Sequence, residues 1–114
     1  MNVLNAKVGD ILSCTWGYSM TLVDFYKVIK VSPSGKSVTV QRLASDCVEG
    51  HAGYEGYVMP SPHPHSLNEV HKNKRIKPAY GGGYGVKITD SQYASLWNGK
   101  KEYFNRYMFI VLSP

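Results

Sequence analysis

Hydrophobic and polar positions alternate with a period of two through much of the chain, and no segment sustains the 3.6-residue period of an amphipathic helix. Within Val8 to Trp16, mixed apolar and small polar residues come after a Gly9-Asp10 turn pair, which predicts a first strand. From Val23 the odd positions Val23, Phe25, Ile29 and Val31 are apolar, interrupted by Lys27, and Ser37 to Leu43 sets Val38 and Val40 on one face against Thr39 and Gln41. Between these runs, Ser32-Pro33-Ser34-Gly35-Lys36 supplies a proline that presets one turn dihedral and a glycine that accepts a positive one. Residues 23–43 should therefore form an antiparallel hairpin.

The alternation dissolves between Ala44 and Ser66, where Gly50, Gly53, Gly56, Pro60, Pro62 and Pro64 predict a long irregular loop at 44–66. Loops of that length are uncommon unless they work or are poorly ordered. Leu67 to Lys74 admits at most one short helical turn. Val86 to Thr89 resumes the alternation, and Asn98-Gly99 between Tyr93–Trp97 and Lys100–Phe104 predicts a second hairpin, with a helix capped by Asp90 as its rival. Phe109 to Leu112 reads as a final buried strand. Together these elements describe a mainly β protein: one domain over residues 1–114, a small antiparallel barrel or strongly bent sheet of SH3-like or OB-like size.

Composition narrows the function classes. The longest apolar run, Tyr107 to Leu112, is far below the roughly 20 residues of a membrane-crossing helix, and Met1 to Asp10 lacks the regions of a signal peptide, so the chain is expected to be soluble and unexported, with no membrane partner. Cys14 and Cys47 are too few for a disulfide framework and read as free thiols in a reducing compartment, Cys14 as a small core residue.

The net charge of +5 is unevenly placed: residues 1–71 carry five basic and six acidic side chains, residues 72–114 eight basic and two acidic. Such asymmetry creates a one-sided field that attracts nucleic acid or an acidic protein surface. Lys72, Lys74, Arg75 and Lys77 lie beside Tyr80 and Tyr84 on a glycine-rich tract, and Lys100, Lys101 and Arg106 follow. Backbone-seeking cations interleaved with stacking rings suit single-stranded nucleic acid or an aromatic-rich protein interface. We therefore take these nine residues as the candidate partner-binding face. Gly81 to Gly85 has neither the spacing nor the following Gly-Lys-Ser/Thr of a phosphate loop.

Other chemistry is thin. Cys47, His51, His63 and His65 are the only set that could complete a tetrahedral zinc shell, and their spacing matches no common ligand pair, so no metal and no cofactor is expected. The alternative class is a small metal-dependent or histidine-based hydrolase centred on His51, His63 and His65, or a metal-free acid–base nuclease built from His51 and His71 with nearby lysines. Asp24, between Val23 and Phe25, reads as structural, facing solvent or accepting hydrogen bonds from the Thr15–Thr21 segment.

Two motifs carry a resemblance. Gly9-Asp10-Ile11, then Trp16-Gly17-Tyr18, Thr21 and Val23-Asp24-Phe25-Tyr26, followed later by Leu96-Trp97-Asn98-Gly99-Lys100 with Tyr103 and Tyr107, resemble a family of short, uncharacterised bacteriophage and prophage proteins. The chain departs from that pattern at Ser19-Met20, Leu22 and Asn98, and the 44–66 segment is unmatched. The resemblance implies a phage accessory protein in the host bacterial cytoplasm, and by analogy an anti-CRISPR-like inhibitor that occupies a host protein, or a protein–nucleic acid complex, without catalysis. A virion or assembly component is the remaining alternative.

Overall fold

A computed structural model describes residues 5–17, 21–51, 54–79 and 82–105. Among these, nine strands and no helix are present: β1 (Ile11–Trp16), β2 (Leu22–Val31), β3 (Ser37–Gly50), β4 (Glu55–Pro64), β5 (Val70–Arg75), β6 (Lys77–Pro78), β7 (Tyr84–Thr89), β8 (Gln92–Leu96) and β9 (Glu102–Asn105). They form one antiparallel sheet, ordered β6-β7-β8-β1-β2-β3-β4-β9 with β5 also paired to β3, curled into a half-barrel. The small bent antiparallel sheet expected from the alternation is thus the observed architecture. The final strand expected at Phe109–Leu112 lies outside the described residues.

The β2–β3 hairpin forms as expected. Gly35 takes φ 74°, its N–H donates to the Ser32 carbonyl at 2.9 Å, and Val28 pairs with Val40 and Phe25 with Leu43. The burial pattern differs from the single apolar face that the odd positions suggest. Phe25 and Tyr26 are adjacent, project to opposite faces of the strand, and are both buried. Leu12, Cys14, Tyr26, Val28, Val38 and Val40 join Tyr84, Val86, Ile88 and Ala94 in one core. Val23, Phe25, Leu43, Val58 and Phe104 form a second core on the other face, where Trp97 meets Phe25 edge to face at 5.9 Å. Ile29, by contrast, is exposed, because a bulge between Val28 and Lys30 resets the register.

The 44–66 segment is a correction: it is a hairpin. β3 runs on to Gly50 and β4 returns from Glu55 to Pro64, with Gly50 opposite Gly56. The glycines that look like loop punctuation are needed by the close approach of two strands. Gly50 has φ 82°, and a Cβ on Gly56 would collide with the Glu49 carbonyl. The prolines are tolerated because β9 pairs with β4 only over Glu55–Val58, which leaves the Pro60–Pro64 stretch an outer strand where a missing N–H costs nothing.

Two further expectations change. Val70–Arg75 is strand β5 on the first half of β3, in place of a helical turn, with Asn73 at φ 53° forming a bulge and its N–H directed at Thr39 Oγ1 (3.3 Å). Asn98-Gly99 turns the chain, with Gly99 at φ 84°, but it does not close a hairpin. β8 pairs with β7 and β1, whereas β9 pairs with β4, so the turn carries the chain from one core to the other. Trp97 diverts it by donating its indole N–H to the Lys100 carbonyl at 2.7 Å.

The molecule measures 52 × 26 × 24 Å, and β3 alone, at about 3.3 Å per residue, accounts for most of the long axis. The β2–β3 turn marks one end and the β3–β4 turn the other. Gly56→Ala should lower stability by about 1–3 kcal/mol, through strain against the β3 carbonyl, whereas Gly35→Ala, with open space around the added methyl, should cost only the smaller penalty of its positive φ. Urea melts of the two variants check the ordering.

Candidate binding surfaces

The long axis separates the basic residues that sequence proximity suggests belong together. Lys72, Lys74 and Arg75 lie on β5, and Lys77 starts β6. Arg75 pairs with Ser37 and the Ile76 N–H donates to the Lys36 carbonyl at 3.0 Å, so this group sits at the β2–β3 turn beside Lys36. Lys101 instead pairs with Glu49 and lies over the Tyr57 ring at 4.7 Å, with Lys100 next to it. Ser37 and Glu49 are twelve residues apart on β3, about 40 Å of strand. Lys72, Lys74, Arg75 and Lys77 therefore share one end of the molecule, with Lys72, Arg75 and Lys77 exposed and Lys74 half-buried opposite Val38, and Lys100 and Lys101 belong to the opposite end. Tyr80 and Arg106 lie outside the described residues.

Tyr84 is a correction. It is 2% exposed, inside the first core, and its hydroxyl donates to Asp10 Oδ2 at 2.6 Å. Burial, followed by that hydrogen bond and the Asp10 charge, raises its pKa well above the ordinary tyrosine range. It is no stacking platform. The exposed ring beside the basic patch is Tyr93 on β8, 52% accessible, with Lys77 Nζ 3.3 Å from its hydroxyl and 5.9 Å from its ring centre. Lys87, paired across the ladder with Tyr93, extends the patch and also meets Asp90 at 3.2 Å. The odd-even alternation of Tyr84 and Val86 against Lys87 contains the signal for this inversion: Tyr84 shares a face with Val86 and Ile88, which are buried.

Among the described residues, no carboxylate lies within ion-pair distance of Lys72, Lys74, Arg75 or Lys77. The acidic side chains Asp46, Glu49, Glu55 and Glu102 collect around the β3–β4 hairpin and β9. The protein is therefore basic at one end of its long axis and mixed to acidic at the other.

The candidate zinc ligands are dispersed, and among the described residues no group of three or more could hold a metal ion. Cys47 contacts the Glu49 carbonyl (3.2 Å), His51 packs its ring on Tyr54 in the tip turn (4.6 Å), His63 lies on outer β4, and His65 Nδ1 accepts the Leu67 N–H (3.2 Å). His71 lies opposite Val40, whereas His51 follows Gly50, so ten residues of β3 separate the two histidines of the nuclease alternative. Cys14 is 1% exposed, and burial together with Asp24 pushes its thiol up to about 11, in keeping with a core role.

A feature that sequence proximity does not reveal lies where the first core runs out. Beyond Tyr26 and Val40, the same face of β2 and β3 continues as Asp24 and Arg42, and from β1 as Trp16. Asp24 accepts the Trp16 indole N–H (2.8 Å) and an Arg42 Nη2 N–H (2.9 Å). Arg42 Nη1 is 3.7 Å from Glu69, whose carboxylate is 2.7 Å from His71 Nε2, and the His71 ring stands edge to face on Tyr26 at 5.8 Å. The hydrogen bond to His71 is the largest influence lowering the Glu69 pKa. This polar chain ties β1, β2, β3 and β5 together, and its Asp24–Arg42 part lines a cleft of about 710 Å³ bordered by Trp16, Leu22, Pro64, His65 and Phe104. Asp24 is thus structural, as expected, and it also fixes the edge of an open site.

In comparisons with known proteins, no family model, no curated protein and no solved structure matches the chain.

Tyr84→Phe should lower stability by about 1–3 kcal/mol, because the variant leaves Asp10 without its 2.6 Å donor, while any oligonucleotide affinity stays unchanged. Thermal melts beside binding isotherms check both halves. A carboxyl whose folded pKa is depressed stabilises above its unfolded pKa and loses that contribution as pH falls through the folded value. The melting difference between the wild type and Glu69→Gln should accordingly be largest near neutrality and shrink below about pH 4.

Proposed function

We propose that this is a non-catalytic binding protein that grips the sugar–phosphate backbone of a nucleic acid with the end where β5 and β6 meet the β2–β3 turn. The observation that carries the reading is the concentration of Lys72, Lys74, Arg75 and Lys77, without a carboxylate counter-charge among the described residues, on two short strands beside exposed Tyr93. Each lysine or arginine placed on a phosphate releases condensed counterions, and an exposed ring adds a stacking surface tolerant of sequence. The paired Lys101, set in the opposite end against Glu49, has no part in this contact.

On the strength of the Trp16-Gly17-Tyr18 and Leu96–Lys100 resemblance, the biological setting is that of a phage accessory protein in a bacterial host. There, cover of a nucleic-acid backbone would obstruct host machinery acting on it, including a defence complex. A rigid surface suffices for such obstruction, and no reacting group is needed.

Affinity for a short labelled oligonucleotide should fall steeply between roughly 50 and 200 mM salt. The double variant Lys74→Ala/Arg75→Ala should weaken binding and reduce the magnitude of the log–log salt slope by roughly one for each phosphate no longer neutralised. Lys100→Ala/Lys101→Ala should leave the slope as it is. An affinity indifferent to salt, or a loss confined to the second pair, sinks the proposal.

A further inference from the structure

We infer that the cleft beside the Asp24–Arg42 pair receives a single unpaired nucleobase, so that the protein engages single-stranded in preference to duplex nucleic acid. The inference deepens the backbone-binding reading above and rests on it. Four observations converge.

The first is size and openness. A cleft of about 710 Å³ falls in the range of roughly 300–1,000 Å³ typical of small-ligand sites, and it is open to solvent at one side.

The second is the chemistry of its lining. Trp16, Leu22, Pro64 and Phe104 provide flat or apolar surface, while Asp24 supplies an acceptor, Arg42 supplies donors, and Ser45 and Ser66 supply groups that do either. A nucleobase has the matching anatomy: two apolar faces and an edge that carries donors and acceptors side by side. Trp16 is 37% exposed, and its indole N–H is fixed on Asp24 at 2.8 Å. A stacking ring already held in place loses little freedom when a base settles on it.

Third, the charge balance is wrong for an ion. Asp24 and Arg42 are the charged lining residues and cancel at 2.9 Å, so neither a free phosphate nor an ammonium finds an uncompensated partner there. A neutral, polar, planar group does.

The fourth is position. Arg42 donates its backbone N–H to the Glu69 carbonyl at 2.8 Å, and its carbonyl accepts the His65 N–H at 2.9 Å, so the cleft wall at His65–Ser66 leads within a few residues into β5. β5 pairs with Gln41 at its start and Ser37 at its end, which carries exposed Lys72 and then Arg75 away from the cleft, with half-buried Lys74 between them on the inner face. A strand whose phosphates follow β5 brings a base to the cleft mouth. A base stacked and paired within a duplex cannot enter without the cost of its extrusion, a few kcal/mol.

The test uses the full chain and two labelled probes, each measured over the same series of salt concentrations: a short mixed-sequence DNA single strand, and the same sequence annealed to its complement. The wild type is expected to bind the single strand about tenfold more tightly than the duplex, the effect of one stacked base. Trp16→Ala should abolish that preference by weakening single-strand binding about tenfold, with duplex affinity and the salt slope unchanged. Because Trp16 also anchors Asp24, a second variant, Ser45→Tyr, fills the cleft from an exposed position and should have the same effect with Trp16 intact. Equal affinity of the wild type for both probes, or an undiminished preference in Ser45→Tyr, overturns the base-binding cleft while salt-dependent binding of both probes upholds the backbone reading. Absence of salt-dependent binding to either probe overturns both.

Discussion

The ladder between β2 and β3 buries side chains on both of its faces, and the rest of the molecule is arranged to cover them. A strand that is apolar on one face needs one covering layer, whereas Phe25 beside Tyr26 needs two. The chain answers by wrapping β1, β5, β7 and β8 over one face and β4 and β9 over the other. The length of β3 follows from this demand: its first half carries Val38 and Val40 into one core, and Leu43 begins the other. The 52 Å axis, and with it the separation of the basic and acidic ends, follows in turn.

The cleft belongs to the same logic. A sheet that changes its covered face along its length must pass through a stretch where one layer has ended, and polar side chains are the ones that tolerate that position. Asp24, Arg42, Glu69 and His71 occupy it, each satisfied by its neighbours, and no buried side-chain nitrogen or oxygen among the described residues lacks a hydrogen-bond partner. Such a chain of polar contacts fixes the relative placement of β1, β2, β3 and β5, so the open surface above it is rigid without being apolar.

Legibility in the sequence tracks how local each cause is. The β2–β3 hairpin follows from Pro33, Gly35 and the flanking alternation, all within one turn of chain, and it forms as read. The 44–66 segment reads as a loop because Gly50, Gly56, Pro60 and Pro64 are poor strand residues, and what makes them acceptable, a tight glycine pair and an outer edge, exists only once β3, β4 and β9 have assembled. Asn98-Gly99 does turn the chain, but the partner strand is chosen by cores distant in sequence. At the candidate surface, Lys72, Lys74, Arg75 and Lys77 stay at one end because β5 and β6 follow each other directly, although strand alternation turns Lys74 toward the core side. Lys100 and Lys101 leave it because proximity of 25 residues along the chain says little about a molecule twice as long as it is wide. Tyr84 and Tyr93 exchange roles by strand parity, and the Asp24–Arg42 floor joins residues eighteen positions apart that no motif links.

Positive charge concentrated at one end of an elongated molecule gives the protein a handle on its own orientation. In the field of a long anionic filament, a torque turns the rod so that its positive pole leads, before any surfaces touch. The β3–β4 end, where carboxylates and lysines are mixed, then points outward and presents a more nearly neutral surface to the surroundings.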